Sequence, residues 1–190
     1  GGFALMRGPL TEDATLASAM ATIQADARLG NQRVAGAADF DGDGWPDILV
    51  GGTGADWAGY VGLYYGPFAG ERDFGAAALS YVGTELYEGA GHSVTAGADF
   101  NDDGFADGAT FTNIQYTNAR IDIIYGSARG DIDLRAQSIW ADTDGNDDGY
   151  NGLVAADGDL DGDGVDDLIA SSFTGGPGTL YVFYDVTHSE

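Results

Sequence analysis

The sequence has no cysteine and no lysine, only four prolines, two methionines and two histidines. Without cysteine there is no disulfide and no thiolate zinc or iron–sulfur site. Without lysine there is no phosphate-cradling Gly-Lys-Ser/Thr loop. Seven arginines alone oppose 31 acids, for a formal net charge of −24. A chain this acidic does not meet nucleic acid through a basic face. No apolar run reaches the roughly 18 residues of a membrane span, so none is expected. Glutamate is scarce as well, with five of the 31 acids; the remaining 26 are Asp. Glu favours helices, whereas Asp belongs in turns, caps and metal sites.

Glycine is abundant, 32 of 190 residues, far above the usual roughly 7%. An apolar fraction of 44%, with 12% aromatics, argues against disorder. No signal peptide is visible, and Gly1-Gly2-Phe3 does not read as a natural start. A mature product or a fragment is expected.

Three segments recur 60 residues apart: Asp39-Phe40-Asp41-Gly42-Asp43-Gly44-Trp45-Pro46-Asp47, then Asp99 to Asp107, then Asp159 to Asp167. A small-residue stretch precedes each, as in Val34 to Ala38. A short apolar run follows each, Ile48 to Val50, Ala109 to Phe111 and Leu168 to Ala170. Aromatic-rich runs come next: Val61 to Tyr65, Ile121 to Tyr125 and Leu180 to Tyr184. A weaker fourth run lies near 78–82 and 137–141. Runs of this length and content, bounded by Gly, Pro, Asn or Asp, read as strands. Several are apolar at consecutive positions, so both faces are buried, as in stacked sheets. Only 12–25 has helix-like spacing, and there an alignment with the fourth strand competes.

Four strands per repeat is the arithmetic of an all-β propeller of four-stranded antiparallel blades. The expected division is a partial blade over 1–25 (strands C and D), blades over 26–85 and 86–145, and a third over 146–190 lacking its outer strand. About three blades and a part cannot close a ring of the usual four to eight.

Within each nine-residue segment, oxygens stand at positions 1, 3, 5 and 9, with Gly at 6. These are Asp39, Asp41, Asp43 and Asp47; Asp99, Asn101, Asp103 and Asp107; and Asp159, Asp161, Asp163 and Asp167. Position 7 adds a backbone carbonyl from Trp45, Phe105 or Val165. Carboxylates forced this close repel unless a cation sits among them. Hard oxygen ligands without His or Cys select Ca²⁺, and about three ions are expected. The competing reading is a set of ordinary Asp/Gly turns; three matches in register favour the metal. An EF-hand is excluded, because position 12 is Val50, Thr110 and Ala170 rather than Glu. Asn101 gives the second loop one less charge, so its binding is expected to be weaker.

The stretch Gly91-His92-Ser93-Val94, continuing Gly97-Ala98-Asp99-Phe100-Asn101-Asp102-Asp103-Gly104, resembles the FG-GAP repeat. That repeat builds the seven-bladed propeller of integrin alpha chains and of many secreted bacterial proteins. The resemblance implies that each Asp loop joins strands A and B of a blade and binds Ca²⁺, and that the role is extracellular recognition or scaffolding. The Phe-Gly pair of the family is replaced by Leu29-Gly30, Ala90-Gly91 and Tyr150-Asn151.

Other candidates are weaker. Asp142 to Asp148 is acidic but has Asp147 where Gly is needed, so a solvated loop is the better reading. Arg129-Gly130-Asp131 spells an adhesion tripeptide and reads as a turn. His92-Ser93 lacks a nucleophile elbow or paired acid, and His188 stands alone. The loops claim 11 of the 26 Asp residues, which thins the case for paired catalytic carboxylates. Tyr and Trp could line a sugar site; packing between blades is commoner. The expectation is therefore an extracellular or surface-displayed calcium-binding propeller module with no catalysis, binding an unidentified protein or glycan. It belongs to a longer chain or a homo-oligomeric assembly. The alternatives are the propeller portion of a secreted polysaccharide- or lipid-acting enzyme, or a self-assembling filament or surface-layer subunit.

Overall fold

The computed structural model describes residues 2–9, 15–24, 30–54, 57–114, 118–126, 128, 130–142, 152–172, 178–184 and 186. Among them the chain is built from strands, with 3₁₀ turns at Leu16–Ser18, Phe74–Ala76 and Leu134–Gln137 and no α-helix. Of the contested 12–25 region, residues 12–14 and 25 lie outside those described; Leu16–Ser18 is a 3₁₀ turn, and β2 (Ala21–Gln24) pairs antiparallel with β1 (Gly2–Leu5). Alternation wins there because Ala21 and Ile23 bury one face.

Two sheets carry the four-strand antiparallel unit. The first orders β3 (Asn31–Ala38), β4 (Asp47–Thr53), β5 (Tyr60–Tyr64) and β7 (Leu79–Val82). The second orders β8 (Ser93–Ala98), β9 (Asp107–Ile114), β10 (Asn118–Ile124) and β12 (Ser138–Asp142). A third has β13 (Leu153–Gly158), β14 (Asp167–Ser172) and β15 (Thr179–Phe183), with no fourth strand among the described residues. Two short strands were not expected. β6 (Gly70–Asp73) adds parallel to β2, and β11 (Gly130–Asp131) adds parallel to β7. Each connection between a third and fourth strand thus covers the outer edge of the preceding sheet. The described sheets form no closed ring.

The consecutive apolar runs are explained by this stacking. β4 and β5 are buried at every position, since sheets cover both faces. Ile48, Val50, Tyr60 and Tyr64 pack against Ala21 and Ile23 on one side. Leu49, Val61 and Leu63 pack on the other against Ile124 of the next sheet, with Ala90 and Leu134 from the segments that flank its strands. Phe111, Ile121 and Ile123 are likewise covered by Val154, Leu168 and Ala170 of the third. Gly51 is required for this proximity: a Cβ there would strike the Gly91 carbonyl. Polar stitches cross as well, with Val154 N–H donating to Ser93 Oγ at 3.3 Å and Ala156 N–H to Thr95 Oγ1 at 3.0 Å.

Candidate metal centres

Each acidic segment joins the first two strands of its sheet, β3 to β4, β8 to β9 and β13 to β14. A bulge precedes every one, between Gly36 and Ala38, Ala96 and Ala98, and Ala156 and Gly158. The position-9 residue opens the second strand and is buried: Asp47, Asp107 and Asp167 are each about 1% exposed or less.

The same hydrogen bonds recur in all three loops. The position-1 carboxylate accepts the Gly N–H of position 6 at 2.9 Å in every copy, through Gly44, Gly104 and Gly164. These glycines have φ of 85°, 85° and 101°, a region that penalises a Cβ. The position-3 oxygen accepts the position-5 N–H at 3.2, 3.2 and 3.1 Å, from Asp41, Asn101 and Asp161 in turn. Asp43, Asp103 and Asp163 each accept the N–H of position 7, that is of Trp45, Phe105 and Val165, at 2.8, 2.9 and 2.9 Å. The position-9 carboxylate accepts the N–H of position 2 at 2.7, 2.9 and 2.6 Å. Its other oxygen reaches across the sheet to the second residue after the third strand, Gly66 N–H at 2.8 Å and Gly126 N–H at 2.7 Å. In the third copy that residue is 185, outside those described.

Backbone donors of each turn therefore hold the carboxylates in one orientation. Asp39, Asp41 and Asp43 bring their oxygens within 4.8 Å of one another, and so do Asp159, Asp161 and Asp167. The first cluster takes positions 1, 3 and 5, the third positions 1, 3 and 9. The second loop places Asn101 at position 3, and its amide donates to Asp103 Oδ2 at 3.0 Å.

Burial raises the Asp47 carboxyl above its usual value, with Asp41 and Asp39 adding to the effect, although two N–H donors oppose it. Asp107 is pushed up to about 7 by burial, aided by Asp103 and Asp99 and opposed by the Gly126 and Phe100 N–H groups. Crowded, desolvated carboxylates of this kind hold either a proton or a cation. The donor set is all oxygen and mostly anionic, which fits a hard divalent ion of calcium type.

Two features escape the sequence pattern. Asp166 sits at position 8 of the third loop, where the other loops have Pro46 and Ala106; only the mismatch in register marks it. The second is a buried charge cluster between the first two sheets. Arg120 Nε donates to Asp122 Oδ1 at 2.6 Å and its NH2 group to Glu88 Oε1 at 3.2 Å. Thr112 Oγ1 donates to Asp122 at 2.9 Å, and the Tyr81 hydroxyl donates to Glu88. Two charges spaced two apart in Ala119-Arg120-Ile121-Asp122-Ile123 are the available signal. His92 is half-buried, and burial followed by Arg33 lowers its pKa. His188, Arg129 and residues 143–148 lie outside the described residues; Asp142 ends β12, and Gly130 and Asp131 form β11.

No curated protein matches the chain. Residues 31–64, which run from β3 through the first acidic loop and β4 to the end of β5, match the FG-GAP repeat.

Proposed function

We propose that the chain is a calcium-binding module of propeller blades, acting outside the cell or at its surface in a structural, adhesive or recognition role without catalysis. One observation carries this reading: a single loop geometry, with the same four backbone-to-acceptor bonds, occurs three times at the same place in three sheets. Ordinary Asp/Gly turns have no reason to bury a carboxylate at position 9 in every copy. The ions would be held by side chains at positions 1, 3, 5 and 9, with the position-7 carbonyl of Trp45, Phe105 or Val165 completing the set. Bound calcium supplies the positive charge that crowded carboxylates lack. Millimolar extracellular calcium suits sites of modest affinity. Calorimetric titration of the chelated chain tests the reading: about three ions per chain are expected from an oxygen-ligand count of this kind. One ion or none overturns it.

A second reading concerns partners, and the outer face of the third sheet favours it. Leu153, Leu180 and Val182 are 58%, 67% and 38% exposed there. The same face of the first and second sheets is covered by the sheet that follows. This supports a chain that works beside further sheets of its own kind, in a longer polypeptide or in an assembly of copies.

A further inference from the structure

The acidic loops touch one another. Position 8 of each later loop meets position 1 of the loop before it. Between third and second, Asp166 Oδ2 accepts the Asp99 N–H at 2.9 Å. Between second and first, the Ala106 N–H donates to the Asp39 carbonyl at 3.1 Å. The Phe105 ring also lies over Gly42, where a Cβ would come within 2.8 Å of it.

Asp166 is gripped on both sides by the third loop. Val165 before it donates its N–H to Asp163 at 2.9 Å, and buried Asp167 after it accepts from Leu160 at 2.6 Å. Asp99 in turn anchors the second loop with both oxygens, accepting from Asp103 N–H at 3.1 Å and Gly104 N–H at 2.9 Å. Its own N–H is held from outside, by the neighbouring loop.

We propose that Asp166 is a positioning residue for the second loop, through which cation occupancy of the third loop strengthens binding at the second. This rests on the calcium reading above. A cation among Asp159, Asp161 and Asp167 fixes the 165–167 backbone, and with it the carboxylate that orients Asp99. The second loop then has less conformational freedom to lose when it binds, so the coupling is positive. Linkage makes it reciprocal. Pro46 and Ala106 have no side-chain acceptor, so the Asp166 contact is specific to the junction of second and third loops.

Site-resolved calcium titration tests this. The position-6 glycines Gly44, Gly104 and Gly164 report one loop each in nitrogen-15 amide spectra of the full chain. Asp166→Ala and Asp163→Ala are each expected to raise the calcium midpoint at Gly104 about tenfold, the scale of one charge-assisted hydrogen bond. Asp166→Asn keeps an acceptor oxygen and shifts it less. In the double variant the shifts are less than additive, because both act through one contact. Dispersion of the remaining amide signals verifies that each variant is folded. A Gly104 midpoint unmoved by Asp166→Ala overturns the coupling alone, as do fully additive shifts, which would mark Asp166 as a mere source of charge. Wild-type glycines that ignore calcium overturn the calcium reading and the coupling with it.

Discussion

Asp107 meets two opposed demands. Burial disfavours its charge and pushes its pKa up to about 7, yet the Phe100 and Gly126 N–H groups both need an acceptor there. Asn in its place sheds the charge but turns an amide donor toward one of those N–H groups. An unsatisfied buried donor costs about 1–3 kcal/mol, so Asp107→Asn is expected to lower the urea midpoint of the chelated protein. An unchanged or higher midpoint would mean that relief of the buried charge wins. Asp122 allows a pH prediction. Burial raises it to about 6, with Arg120 and Thr112 opposing and Glu88 adding, because two carboxylates share one guanidinium. Its folded pKa lies above the unfolded value of about 3.9. Between those values the folded state keeps a proton that the unfolded chain has released. Stability from this group is therefore present in acid and is lost as pH rises through the window, by up to about 1.4 kcal/mol per pH unit. Urea midpoints from pH 4 to 6 at fixed calcium should fall more steeply for wild type than for Asp122→Asn; parallel curves would refute the assignment. The carboxylates that gather in the first and third loops were legible from residue type and spacing alone. The Arg120–Asp122 pair was not, because a charged residue in a strand reads as solvent-facing until the neighbouring sheet, here the first, is known to cover it.

At the scale of elements, the Asp loops and the apolar runs after them stood out because turn chemistry and strand burial are both local. β6 and β11 did not. Gly-Glu-Arg-Asp has no strand pattern, and it becomes one only because β2 supplies an edge, with Gly70 N–H donating to Met20 O at 3.0 Å and Gln24 Nε2 to Glu71 at 2.8 Å. The loops and the strands they join make one unit: Asp47 and Asp107 tie the first turn of the sheet to the end of its third strand. Loosening a loop therefore loosens three strands. A ligand bound only by the native state adds RT ln(1 + [L]/Kd), about 2.7 kcal/mol per site at a hundredfold excess over Kd. Chelator is expected to lower the melting temperature of the wild-type chain, and Asp43→Ala or Asp163→Ala to reproduce part of that drop in calcium. A melt indifferent to chelator would leave the loops as ordinary turns.

For the whole molecule, the repeat predicted stacked sheets, and the three interleaved cores follow that plan. What the sequence pattern could not convey is which faces stay uncovered, since burial of one sheet depends on the presence of the next. Register places Leu180 opposite Ser171 and Val182 opposite Ile169, with Leu153 beside them on the outward face of the third sheet. Their counterparts in the second sheet, such as Ile121 and Ile123, are 1% and 0% exposed because the third sheet covers them. Among the described residues β15 is also the last strand of its sheet, and a sheet edge is a template for another strand. Against association stands the net charge of −24, which repels like copies until salt screens it over a Debye length of about 8–10 Å. Apolar face and open edge gain from contact at any ionic strength, whereas the repulsion fades as salt is added. The purified 190-residue chain is therefore expected to associate, and to do so more strongly at high salt, in light scattering with calcium held constant. Polar replacement of Leu180, 67% exposed and outside the three cores, should weaken that association without lowering the melting temperature. A compact monomer at all salt concentrations, with the β15 amides protected from hydrogen exchange, would mean that the chain covers this face by itself.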